Sequence, residues 1–124
     1  MRVFLVEDSQ IVLQRLTSML GAIPGVSIAG SASTEKKAIA DILAAKPDVV
    51  VLDLKLDQGS GFEVLSAVHE REPGIDFYML SNFASEPYRR QAERLGALGF
   101  FDKSSEFELV RDAVAKRASG QQGQ

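Results

Sequence analysis

The stretch Asp48-Val49-Val50-Val51-Leu52-Asp53 decides the fold. Three consecutive β-branched residues and a leucine, with no polar residue between the two aspartates, describe a strand buried on both faces, as the centre of a parallel sheet requires. Asp53, at its end, then lies at the carboxyl edge of the sheet, where open α/β sheets place their ligands and chemistry. The arrangement recurs near the amino end, where Val3-Phe4-Leu5-Val6 runs straight into Glu7-Asp8. Two acidic strand ends that meet in space make an oxygen-donor site for a hard cation. Mg²⁺ fits best, because it takes few carboxylates, keeps several waters and accepts a phosphate oxygen.

Outward from this strand, short apolar runs alternate with helix-period stretches. Val3–Val6 reads as the first strand, and Ser9 caps a helix that carries Val12, Leu13, Leu16, Met19 and Leu20 on one side. Ile11 points away from that stripe. Gly21-Ala22-Ile23-Pro24-Gly25 stops the helix, and Val26–Ala29 forms a second strand. Ser33 or Thr34 caps the next helix, with Ala38, Ile39, Ile42 and Leu43 inward and Pro47 beyond its end. The third strand covers Asp48–Leu54, and a loop through Asp57-Gln58-Gly59-Ser60-Gly61 leads to a helix marked by Phe62, Val64, Leu65 and Val68. Asp76–Ser81 is the fourth strand. Pro87 starts the weakest helical pattern, which ends near Leu95. Gly99–Asp102 is the fifth strand, and Phe107, Val110, Ala113 and Val114 stripe a last helix to about Ala118. Short βα connections of this kind make a doubly wound three-layer α/β sandwich. Residues 1–118 form one domain, and the polar tail 119–124 is expected to be disordered.

Composition narrows the function. With 14 Lys plus Arg against 17 Asp plus Glu, the 124-residue chain carries a net charge of −3, which argues against nucleic-acid binding by this domain. The chain has no cysteine, so disulfides, thiolate metal sites and cysteine nucleophiles are excluded. No apolar run approaches the ~18 residues of a membrane span. The first strand begins almost at Met1, which leaves no room for a signal peptide, and a cytoplasmic location is expected.

With Glu7-Asp8, Asp53, Ser81 and Lys103 placed at strand ends in this order, the chain resembles the receiver domains of bacterial two-component response regulators over its whole length to about Ala118. Gly59-Ser60-Gly61-Phe62-Glu63-Val64-Leu65 and Gly99-Phe100-Phe101-Asp102-Lys103-Ser104 resemble receivers that often precede a helix-turn-helix output domain. The resemblance implies a flavodoxin-like (CheY-like) five-stranded parallel sheet of order 2-1-3-4-5, which sets the ends of strands one and three side by side. It also implies a role for each matching residue. Asp53 is the phosphoacceptor. Asp8 is a direct ligand of Mg²⁺ (Mn²⁺ can substitute), Glu7 acts through water or from behind it, and the Lys55 backbone carbonyl completes the protein ligands. Lys103 binds a phosphoryl oxygen as a point charge. Ser81 offers its hydroxyl, and Phe100 is the switch aromatic coupled to it. Lys55, Asn82 and Phe83 flank the phosphoryl group. A sensor histidine kinase or phosphotransfer protein is the implied donor, with Ile11 a candidate contact. The surface over helix four, strand five and helix five is the implied output, with Arg89, Arg90, Glu93, Arg94 and Arg111 its charged candidates. A phosphorylation-dependent homodimer is compatible with this pattern.

Two positions depart from the family. Asp57 stands where many members have proline, so a looser loop is expected. Ser104 follows Lys103 where many have a cis-proline, and a cis bond before serine would cost ~3 kcal/mol, so a trans or a strained bond is expected here. His69, the only histidine, has no partner at metal-ligand spacing and reads as a residue near the solvent face of the third helix. Gly59-Ser60-Gly61 lacks the length and lysine of a P-loop. A phosphorylation-independent pseudo-receiver is the alternative reading. A metal-dependent phosphatase would want a second acid just after its nucleophile, where Leu54 and Lys55 stand. The chain reads either as a stand-alone regulator or as the receiver of a transcription factor.

Overall fold

In the computed structural model, which describes residues 1–120, strands and helices alternate along the chain. They are β1 (Arg2–Val6), α1 (Gln10–Gly21), β2 (Ser27–Ala32), α2 (Glu35–Ala45), β3 (Val49–Leu52), α3 (Gly61–Arg71), β4 (Asp76–Ser81), α4 (Glu86–Leu95), β5 (Gly99–Asp102) and α5 (Phe107–Ala118). All neighbouring strands pair in parallel, in the order β2-β1-β3-β4-β5. β3 is the central strand, and its four residues are all buried.

The period-two alternation of a strand divides the core into two layers. Val3, Leu5, Val49, Val51 and Leu80 face α1 and α5, where they meet Leu16, Leu20, Val110 and Val114. Phe4, Val6, Val50, Leu52, Phe77 and Met79 face the other way, onto Ala38 and Ile42 of α2, Val64, Leu65 and Val68 of α3, and Ala92 of α4. Burying one such side chain contributes roughly 1.5–3 kcal/mol, so the two stripes hold the helices to the sheet. Their carboxyl-edge loops inherit that rigidity.

The second strand runs on to Ala32, three residues past the Ala29 at which its apolar pattern ends, because pairing carries it there. Phe4, Leu5 and Val6 pair with Gly30, Ser31 and Ala32 despite their weak strand preference. A Cβ at Gly30 would lie 3.0 Å from the Phe4 ring, so glycine leaves that ring its space. The third strand is shorter than Asp48–Leu54. Asp48 instead accepts the Arg2 backbone N–H at its carboxylate, at 2.8 Å. Ser9, Thr34 and Ser60 cap α1, α2 and α3 through their side-chain oxygens. No peptide bond among the described residues is cis, so Lys103–Ser104 is trans. Ser119 caps α5 through its N–H to the Ala115 carbonyl. Residues 121–124 of the tail expected to be disordered lie outside the described residues.

Candidate functional site

Parallel pairing of β1 with β3 aligns Val6 with Leu52, so the next residue of each strand emerges at one point of the carboxyl edge. The Asp53 N–H extends this ladder to the Val6 carbonyl at 3.0 Å, and the Glu7 N–H reaches the Ala32 carbonyl at 3.0 Å. Both backbones are thus fixed by sheet hydrogen bonds. Carboxylate oxygens of Glu7, Asp8 and Asp53 lie within 4.8 Å of one another. Glu7 and Asp53 are buried, and Asp8 is half-buried.

Across the sheet, β5 delivers Lys103. Its Nζ donates to Asp53 Oδ2 at 2.7 Å and pairs with Glu7 Oε1 at 3.0 Å. The other Glu7 oxygen accepts the Ser9 N–H at 3.0 Å, which locks the carboxylate against the start of α1. Burial pushes the Glu7 carboxyl up from its ordinary value, although the Ser9 N–H and the Lys103 ammonium both work against that rise. Burial also disfavours the Lys103 ammonium, but the hydrogen bond and charge of Asp53, seconded by Glu7, outweigh it and raise its pKa.

Three acidic groups against one ammonium leave the pocket strongly negative. Asp53 Oδ1 is buried and has no hydrogen-bond partner, an open acceptor in a site where polar atoms are normally satisfied. Crowded oxygen donors with an unused acceptor among them fit a small divalent cation. The donor set is of the right kind, and its spacing suits one ion.

Ser81 closes the far side at the end of β4. It is fully buried, its Oγ accepts the Phe83 N–H at 3.1 Å, and its carbonyl accepts the Lys103 N–H at 3.0 Å. Its hydroxyl proton stays free to donate. Lys55 and Phe83 meet each other at the rim, with the Lys55 ammonium 5.4 Å from the centre of the Phe83 ring. Asn82 is exposed beside them. A Cβ at Gly61 would overlap the Asp53 carbonyl oxygen, so only glycine lets α3 start this close to the acidic strand end.

A profile of the response regulator receiver domain matches residues 3–115. The chain belongs to this family. It is 35% identical over 111 residues to the DNA-binding transcriptional activator DevR/DosR of Mycobacterium tuberculosis, covering 89% of this chain and 51% of that protein. It is 27% identical over 120 residues to the response regulator protein VraR of Staphylococcus aureus, covering 97% of this chain and 57% of VraR. The receiver thus spans about half the length of these relatives. Among solved structures, a NarL receiver domain from Mycobacterium tuberculosis superposes with a TM-score of 0.86 at 28% identity, covering 96% of each chain. A LuxR-family response regulator from an Aurantimonas species gives 0.88 at 24% identity, covering 96% of this chain and 85% of that one, a likeness of fold.

The other expected positions divide. Phe100 is half-buried against the core under α4, and the Arg89 guanidinium stands 5.4 Å from its ring. Ile11 is 73% exposed in the first turn of α1, three residues past Asp8, on a groove of about 550 Å³ between α1 and α5 that also takes in Arg15 and Phe107. His69 is not at the solvent face. It is half-buried against α4, because Gly96 has no Cβ and admits the imidazole within van der Waals reach. Arg89, a charged candidate of the α4–β5–α5 surface, is tied down within it. It donates to the carbonyls of Ala84 (2.8 Å) and Phe100 (2.9 Å) and to Glu106 Oε1 (3.2 Å). Neither Glu106 nor Glu35 carries a local sequence signal. The first resembles any acid near a helix start, and the contacts of the second come from a loop more than twenty residues away.

Proposed function

We propose that Asp53 accepts a phosphoryl group and that the receiver reports its presence through the α4–β5–α5 surface. The observation that carries this reading is Lys103 Nζ, which spans Asp53 at 2.7 Å and Glu7 at 3.0 Å and so ties the β5 end to the acidic cluster. An Asp53 oxygen forms its bond to phosphorus as the phosphorus–nitrogen bond of a phosphohistidine breaks, and the leaving imidazole takes up a proton. Glu7, Asp8, Asp53 and the Lys55 carbonyl would hold Mg²⁺, with Mn²⁺ able to substitute. The cation supplies charge neutralisation between nucleophile and donor when bound. Lys103 is within reach to exchange its carboxylate partner for a phosphoryl oxygen, and Ser81 has its hydroxyl proton free for another.

The energies suffice for a switch. Moving a two-state equilibrium from 1:99 to 99:1 takes about 5.5 kcal/mol. Charge-assisted hydrogen bonds contribute about 1.5–3 kcal/mol each, and the phosphoryl group brings roughly −1.5 to −2 charges with three acceptor oxygens. Bonds to Ser81 and Lys103 together with the cation reach that total. Phe100, adjacent to both β4 and α4, is the residue through which the change reaches the surface. Water then releases the phosphate, at a rate tuned by Lys55, Asn82 and Phe83 at the rim.

The donor in this reading is a sensor histidine kinase or phosphotransfer protein that docks beside Ile11. The likeness to DevR/DosR, a DNA-binding transcriptional activator, supports transcriptional control as the proposed output of a longer protein, with the domain itself contacting no nucleic acid. A cytoplasmic setting goes with that role, and no described helix is long and apolar enough to cross a membrane. Intact-mass spectrometry after incubation with Mg²⁺ and acetyl phosphate tests the acceptor. One added phosphoryl group is expected in the parent and none in Asp53→Asn. A group added equally to both proteins would overturn Asp53 as acceptor, and none in either, with no Mg²⁺ bound, would favour the pseudo-receiver.

A further inference from the structure

The loop from Asp53 to α3 is held on its outer side by a residue of a different helix. Gln58, Gly59 and Ser60 carry no apolar side chain and no proline, so nothing in their own composition fixes their path. On the inner side, the Gly61 N–H bonds the Leu54 carbonyl at 2.7 Å and Leu56 is buried. On the outer side stands Glu35, the first residue of α2. Its Oε1 accepts the Ser60 N–H at 3.0 Å, and its own N–H donates to the Gln58 carbonyl at 2.9 Å. Gly59 sits between these two bonds at φ +99°, and a Cβ there would overlap the Glu35 side chain. The loop is therefore moulded around Glu35, and Ser60, which it holds, is in turn the N-cap of α3.

We propose that Glu35 is a positioning residue for the cation side of the site. It sets the path of the loop that carries the Lys55 carbonyl, and so sets how well the pocket closes on Mg²⁺. The inference rests on the reading of Glu7, Asp8, Asp53 and Lys55 as the cation's ligands. Partners behind metal ligands typically alter affinity 10–100-fold when removed. A residue that acts through a loop belongs at the lower end of that range.

The test is a Mg²⁺ titration followed by NMR chemical shifts on the parent, Glu35→Ala and Glu35→Gln, together with amide hydrogen exchange at Ser60. Glu35→Ala is expected to weaken Mg²⁺ about tenfold and to speed exchange at Ser60 while the β3 amides stay protected. Glu35→Gln keeps an oxygen acceptor at the same reach and is expected to stay within about twofold of the parent. Parent-like Mg²⁺ affinity in Glu35→Ala overturns the proposal, as does equal weakening in the two variants, which would assign the effect to charge. If Glu35→Ala does not fold, Glu35→Asp keeps the charge but shortens the reach, and parent-like affinity there overturns the proposal equally. Failure of the parent itself to bind Mg²⁺ would instead strike the cation-site reading, so the two failures are distinct.

Discussion

Helices α3 and α4 lie side by side over the same face of the sheet, yet they are attached to it in opposite ways. α3 buries Gly61, Val64, Leu65 and Val68, whereas α4 buries only Ala92. The work that apolar burial does for α3 falls in α4 to one side chain, Arg89, with its bonds to Ala84, Phe100 and Glu106. Glu106 Oε1 also accepts the Asp102 N–H at 2.8 Å, so the same carboxylate ties α4 to β5. Exposing a buried apolar side chain to water costs roughly 1.5–3 kcal/mol, and water offers nothing in return. A hydrogen bond is worth only about 1 kcal/mol net, because water replaces it when it opens. An element fastened by polar bonds can shift at little cost. In this domain that element is α4, next to Ser81 and Phe100.

The largest effect that could break this contrast comes from matched truncations. Leu65→Ala in α3 is expected to cost ~2–5 kcal/mol, as large-to-small changes do in a packed core. Leu95→Ala, at the half-buried end of α4, is expected to cost less than half as much. Urea denaturation of both variants decides the matter. Equal losses would mean that α4 is anchored by burial after all.

Arg89→Ala is the next largest, at about 1–2 kcal/mol, since it removes bonds that water partly restores. Its more telling signature is local. Amide exchange should quicken through α4 and at Phe100 while α3 stays protected, because α3 keeps its own buried apolar anchors. A uniform rise across both helices would indicate ordinary global destabilisation and remove the case for a separate latch.

How much of this was legible in the sequence follows the same division. β3 and the ends of β1, β4 and β5 could be read because a continuous apolar run ending in a charged or hydroxyl residue has few other meanings. Asp53, Glu7, Asp8, Ser81 and Lys103 converge because strand pairing leaves them nowhere else to go. Gly30, Ser31 and Ala32 carry no strand signal of their own, because pairing with β1, and not their own preference, extends β2. The contacts of Arg89, Glu35 and His69 leave no mark in the sequence, for a common reason. The partner of a polar side chain is chosen by tertiary neighbours: a carbonyl on another strand, a loop across the molecule, a glycine at the end of the next helix. No local pattern records those choices.

The smallest effect, and the one that separates the latch from the core most cleanly, is its dependence on pH. The Asp102 N–H, followed by the Arg89 guanidinium, holds the Glu106 carboxyl below the ordinary carboxylate range. The Ser104 hydroxyl and backbone N–H do the same for Asp102. A carboxyl whose pKa is lower folded than unfolded contributes stability that is complete above the unfolded value, about 4.3 for Glu, and lost as pH falls through the folded one. Protonation of Glu106 should therefore loosen α4 from β5 only as pH falls below the ordinary carboxylate range, while the apolar anchors of α3, which do not titrate, hold. Thermal melts between pH 6 and pH 3 on the parent and Glu106→Gln check this. Gln keeps an oxygen acceptor but has no proton to gain, so its Tm should fall less steeply with acid, the other carboxylates cancelling in the comparison. Parallel slopes would show that the ionised form of Glu106 adds nothing to the fastening of α4 and would leave Arg89's two backbone bonds to carry it alone.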